Sequence, residues 1–217
     1  MKIRSTSELI QILDNDLSWR RLDLLYIKRS VTNSKGITKN SAIRAAIPIL
    51  YAHWEGFIKV SAAAYATYLS KKRYKFKDLK MSYSGLQAKQ HIDKISDIKS
   101  KIFATSLSLI EIYGIEEERV NISLNEYIDR VGNLNHDMFI QIINFFSIEK
   151  ASYENFKALI DVSLLSNRNK IAHGEYLDID EDRYESLHND IIALIEKFKS
   201  DIENLAISES YLRTIPI

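Results

Sequence analysis

The chain has no cysteine, which excludes disulfides, thiolate metal sites and a cysteine nucleophile, and fits a reducing compartment such as the cytoplasm. With 6 glycines and 2 prolines in 217 residues, it lacks the turn residues that an all-β fold would need. No apolar run approaches the roughly 18 residues of a membrane span, and Met1-Lys2-Ile3-Arg4-Ser5 opens without the apolar core of a signal peptide. A cytoplasmic protein with no membrane partner is expected. Charge of one sign is missing too: 30 Lys and Arg face 29 Asp and Glu, a net of +1. No global field draws the chain onto nucleic acid, so any such contact has to come from a local patch. No two histidines sit at ligand spacing with a third carboxylate, and there is neither a glycine-rich phosphate loop nor a nucleophile elbow. Metal hydrolysis and a serine triad are therefore not expected, and the cofactor and metal expectation is none.

What the chain does have is long segments with apolar residues at helical period, and these predict an all-α helical bundle. Its length fits a single domain over 1–217, with a core at about 10–205 and a tail at 206–217 that is expected to be loosely held. Ser5 or Ser7 can cap a first helix running to about Ser30, with Leu9, Leu13, Leu17 and Leu24 inward and Trp19, Arg20 and Arg21 within it. After a loop from Val31 to Lys39, a central helix runs to about Ser70 with Ile43, Ile47, Leu50, Trp54 and Phe57 inward, and Pro48 should kink it. A third long helix is expected from Ser84 or Gly85 to about Tyr113, with Ile92, Ile95, Ile98, Ile102, Leu109 and Ile112 inward. Asn135, Ser152 and Asp180 are candidate caps of three more.

The helix from Tyr153 ends in Ser166-Asn167-Arg168-Asn169-Lys170-Ile171-Ala172-His173-Gly174-Glu175, where apolar burial gives way to cations, amides and an imidazole. Asn169 and His173 are four apart and stack on one face, continuing the line of Leu159 and Val162. Arg168 and His173 are five apart, roughly 140° round the axis, and converge only through the long arginine or a distorted last turn. Gly174 supplies a left-handed stop, which leaves His173 at a helix C-terminus. Spacing alone also admits a plainer reading, a capping histidine and a solvated arginine. Two other features stand out. Arg44, Tyr51, Glu55 and Lys59 form a polar line on the central helix, and Glu55 either pairs with Lys59 or reaches the Arg168 and His173 end to orient one of them. Lys71 to Lys80 carries six cations among aromatics, so Lys71, Lys72, Arg73 and Lys75 are candidate RNA contacts, or else a solvated helix end.

Arg168-Asn169-Lys170-Ile171-Ala172-His173 resembles the Arg, four residues, His motif of the HEPN superfamily, all-helical domains many of which are metal-independent ribonucleases. With Leu50-Tyr51-Ala52-His53-Trp54-Glu55-Gly56-Phe57-Ile58-Lys59, Trp19-Arg20-Arg21-Leu22 and Gly132-Asn133-Leu134-Asn135, in this order, the chain is similar to the MAE-like bacterial branch over roughly residues 10–205. That branch is found with restriction, toxin and other defence loci. The resemblance implies an endoribonuclease acting as a toxin or effector, with a cognate antitoxin or defence-system partner. Its alternative is a non-catalytic helical binding or dimerisation module.

Metal-free RNA cleavage needs a base for the 2′-hydroxyl, an acid for the 5′-oxygen and a cation for the charge on phosphorus. His173 and Arg168 supply these types, and Asn169 can support either one. A single histidine does not serve easily as acid and base in one step. The homodimer that the resemblance implies solves this by bringing two copies of the motif into one composite cleft.

Overall fold

The computed structural model describes residues 3–96, 101–124 and 132–214. Helix α1 spans Thr6–Asn33, α2 Gly36–Lys71, α3 Gly85–Ser96, α4 Lys101–Gly114, α5 His136–Phe145, α6 Asn167–Ala172 and α7 Glu181–Ile207. No strand occurs among the described residues, only isolated bridges at Lys75 with Arg119 and Leu79 with Leu212. The fold is all-α, as the periodicity predicts.

Several helix ends follow from their caps. Ser5 accepts the Glu8 N–H while Glu8 reaches back to the Ser5 N–H, a complete capping box. Asn135 caps α5 by accepting from the Met138 N–H at 2.9 Å, and Asp180 caps α7 by accepting from the Arg183 N–H at 2.8 Å. The first loop is shorter than the sequence suggests. Gly36 takes a positive φ of 54°, which lets α2 begin directly after Ser34 and Lys35.

Helix α2 is the central element, packed against α1, α6 and α7, and it runs unbroken through Pro48. Buried side chains surround it, from Ile43, Ile47 and Leu50 to Trp54, Phe57, Tyr65 and Leu69, as befits a helix inside a bundle. Phe139 of α5 stands at the middle of an aromatic cluster, with ring centroids 5.8 Å from Trp54, 5.2 Å from Tyr153 and 5.6 Å from Phe198. Edge-to-face packing of this kind pins α2, α5, α7 and the approach to the Arg168 helix to one another.

Two sequence motifs meet where α1 crosses α2. The Arg20 guanidinium is buried, held by Asp16 at 2.7 Å and donating to the His53 carbonyl at 3.3 Å. A Cβ at Gly56 would lie 2.7 Å from Arg20 Nη1. Glycine in Trp54-Glu55-Gly56-Phe57 is therefore the space that the buried arginine occupies. Asp23 binds His53 at 2.7 Å and Trp19 packs on the same ring, which gives the Trp19 to Arg21 segment a scaffold role. Gly56→Ala should push Arg20 off Asp16 and lower stability by about 1–3 kcal/mol, measured by urea unfolding. An unchanged midpoint would contradict this packing.

Other expectations need correction. As far as Thr214 the tail is held: Tyr211 is buried, its carbonyl accepts from the Lys80 N–H at 2.9 Å, and the Arg213 N–H donates to the Asp78 carbonyl at 2.9 Å. Ile92 and Leu109, expected inward, are exposed, while Ile95, Ile98 and Ile102 lie outside the described side chains. Ser152 does not cap the motif helix. Short 3₁₀ turns at Lys150–Ser152 and Glu154–Phe156 lead instead into a π-helix, Ala158–Ser166, and then into α6.

Candidate functional site

That π-helix sets where the motif residues point. Ile160 and Leu164 are buried as expected, but Val162 is 64 % exposed and Leu159 only half-buried. A five-residue hydrogen-bond step winds the chain more slowly than 3.6 residues per turn, so a stripe extrapolated at α-helical period drifts off the core. The same segment turns Asp161 towards the start of α5, where it accepts the His136 N–H at 2.8 Å. The His136 ring is buried and its Nε2 bonds the Tyr153 carbonyl at 3.2 Å, which gives it a place in the scaffold.

Helix α6 ends as the glycine requires. Gly174 has φ 76°, its N–H donates to the Ile171 carbonyl at 3.0 Å, and the Glu175 N–H donates to the Lys170 carbonyl at 2.9 Å. This pair of bonds is the Schellman stop. His173 is the last residue before it, with its backbone N–H on the Asn169 carbonyl at 2.9 Å. Its ring is exposed and makes no hydrogen bond among the described residues. An imidazole in that position is open to a substrate proton.

Arg168 is half-buried and lies on the ring of Tyr51, its guanidinium carbon 4.8 Å from the centroid. Its Nη1 donates to Asn169 Oδ1 at 2.8 Å. Asn169 thus orients the arginine, with no bond to the imidazole. Among the described residues Arg168 has no carboxylate partner, so its charge and remaining donors stay available to an anion.

Tyr51 is the residue that sequence reasoning placed on a polar line without giving it a role. It is buried, one face carries Arg168, and its hydroxyl accepts the Leu134 N–H at 2.7 Å. Burial, and after it the nearby Glu55 carboxylate, push that hydroxyl well above its ordinary range. It is therefore a neutral platform at working pH. The Gly132 to Asn135 segment, the Tyr51 to Glu55 segment and the Arg168 motif converge on this one phenol. The legible signal was the four-residue step from Tyr51 to Glu55, which places both on one helix face.

Glu55 pairs with Lys59 at 3.0 Å and stands beside the Tyr51 hydroxyl. It meets Arg168 only through Tyr51, and the structure brings it to no bond with His173. The basic stretch is further away still. Lys71 closes α2, about 30 Å along that helix from Tyr51, and Lys75 and Lys77 are both paired with Glu117 at 2.8 and 2.9 Å. Lys72 lies over the Tyr68 ring at 4.9 Å, and Arg73 occupies a turn with φ 64°. Lys71, Lys72, Arg73 and Lys75 are thus not joined to the motif residues.

Among the described residues no helix is long and apolar enough to cross a membrane. Compared with known proteins, the chain matches a family model described as HEPN_MAE_28990-like HEPN, over residues 9–211. No curated protein matches it and no solved structure does.

Proposed function

The chain belongs to the HEPN_MAE_28990-like HEPN family, which points to a nuclease or RNA-binding role, and on that premise we propose that it is a metal-independent endoribonuclease. The observation that carries this reading is an exposed, unbonded His173 at a helix end, beside an arginine held on a tyrosine face with no carboxylate to neutralise it. The imidazole takes the 2′-hydroxyl proton, the hydroxyl oxygen attacks phosphorus, and Arg168 stabilises the charge that builds on the phosphoryl oxygens. The products are a 2′,3′-cyclic phosphate and a 5′-hydroxyl. Its setting is a toxin or effector of a bacterial defence, restriction-associated or toxin-antitoxin system in the cytoplasm, held in check by an antitoxin or other system partner. Lys72 and Arg73 serve as outlying contacts for the RNA backbone, since Lys75 is already neutralised by Glu117. The test is cleavage of RNA but not DNA in the presence of a chelator. Binding without cutting would favour a non-catalytic module.

One chain presents one exposed motif imidazole, so the acid for the 5′-oxygen comes from the His173 of a second copy. Exposed apolar side chains are consistent with such a partner: Val162 on the π-helix, and Trp19, Leu22 and Tyr26 on the outer face of α1. Light scattering at tens of micromolar should give about twice the 25.1 kDa chain mass. A fully active monomer would remove the composite cleft.

A further inference from the structure

We propose that Arg44 is the positioning residue for His173, a role that rests on the ribonuclease reading of the same site. Arg44 projects from the first turns of α2, and its Nη2 donates to the Glu175 carbonyl at 2.9 Å. Glu175 is the residue whose N–H closes the Schellman stop, so Arg44 clamps from α2 the turn on which the imidazole stands.

Arg44, like Arg168, holds no carboxylate among the described residues, unlike Arg20, Arg21 and Arg213. Its Nη1 is buried without a hydrogen-bond partner. An unfilled cationic donor is costly, so the residue is poorly explained by its own pairing. Its one bond among the described residues is to the motif turn.

Geometry places the clamp at the working end of the site. Arg168 lies over Tyr51 while Glu175 lies at Arg44, so α6 runs antiparallel to α2 here. Arg44 and Tyr51 are about 10 Å apart along α2 at 1.5 Å per residue, and His173 falls between their levels. The His173 backbone thus stands between the levels of two arginines that hold no carboxylate among the described residues. Arg44 fixes the distal side of that arrangement through the backbone, and Arg168 fixes the near side through Tyr51.

Arg44→Met keeps the aliphatic stem and removes every donor, whereas Arg44→Lys keeps one ammonium that can still reach the Glu175 carbonyl. Misplacing a catalytic group by about an ångström can cost up to ~100-fold. Arg44→Met should therefore lower kcat by about 10- to 100-fold with KM changed less than about 2-fold, and Arg44→Lys should recover most of the loss. In RNA-free protein, the His173 ring and the Gly174 and Glu175 amide signals in NMR should move in Arg44→Met and stay near wild type in Arg44→Lys. Unmoved signals in Arg44→Met overturn the clamp whatever the rate does, and so does a rise in KM alone. If wild type cuts no RNA, the cleavage reading fails, while the NMR signals still decide whether Arg44 holds the turn.

Discussion

His173→Ala is expected to lower the rate of RNA cleavage by about 10²- to 10⁴-fold, the usual value of a positioned proton-transfer group. Folding should be untouched. The ring is exposed and unbonded, and the bonds that end α6 are all backbone bonds centred on Gly174, so alanine keeps them. The variant should match wild type in helical circular dichroism and in its melting temperature while losing turnover under single-turnover conditions. Normal cleavage by His173→Ala would exclude the imidazole from the chemistry.

Arg168→Ala should have a comparable effect, about 10²- to 10³-fold, because it removes the cation facing the developing phosphorane charge. Arg168→Lys should restore little of it. A lysine brings charge but not the planar fork, and it gives up the stacking on Tyr51 and the defined bond to Asn169 Oδ1. The platform makes a sharper test. Tyr51→Leu frees the arginine and also orphans the Leu134 N–H, so it should cost about 1–3 kcal/mol of stability as well as rate. In a double-mutant cycle the rate losses at 51 and 168 should be strongly non-additive, since each disables the same guanidinium. Additive losses would mean that Tyr51 does not position Arg168.

The reading of the helices came from the sequence wherever a cap or a period was local. Ser5, Asn135, Asp180 and Gly174 all act as their chemistry predicts, because a cap is decided by residues three or four positions away. The site was half legible. Arg168 and His173 were singled out by type and spacing, but the Tyr51 that carries Arg168 and the Arg44 that holds the Glu175 carbonyl lie on α2, more than a hundred residues earlier. Tyr51 and Arg44 were visible only as members of a polar line, and nothing local says that one will carry a guanidinium and the other a carbonyl. The π-helix was not legible at all. Apolar residues from Tyr153 to Leu165 are compatible with either winding, and nothing local marks the wider one found here. Lys71 to Lys80 was legible only in part, since nothing in the run of cations says that Glu117 stands beside Lys75 and Lys77.

On the reading proposed above, the chain cuts RNA with its own side chains through the 2′-hydroxyl. The most direct measurement is mass spectrometry of the products from an RNA oligonucleotide incubated with wild-type protein in chelator, beside a matched oligonucleotide carrying 2′-deoxyribose at the cleaved position. The predicted result is a 2′,3′-cyclic phosphate on one fragment and a 5′-hydroxyl on the other, with the deoxy substitution blocking the cut at that position. Cleavage that appears only on adding a divalent metal, or that proceeds through the deoxy position, would contradict the account.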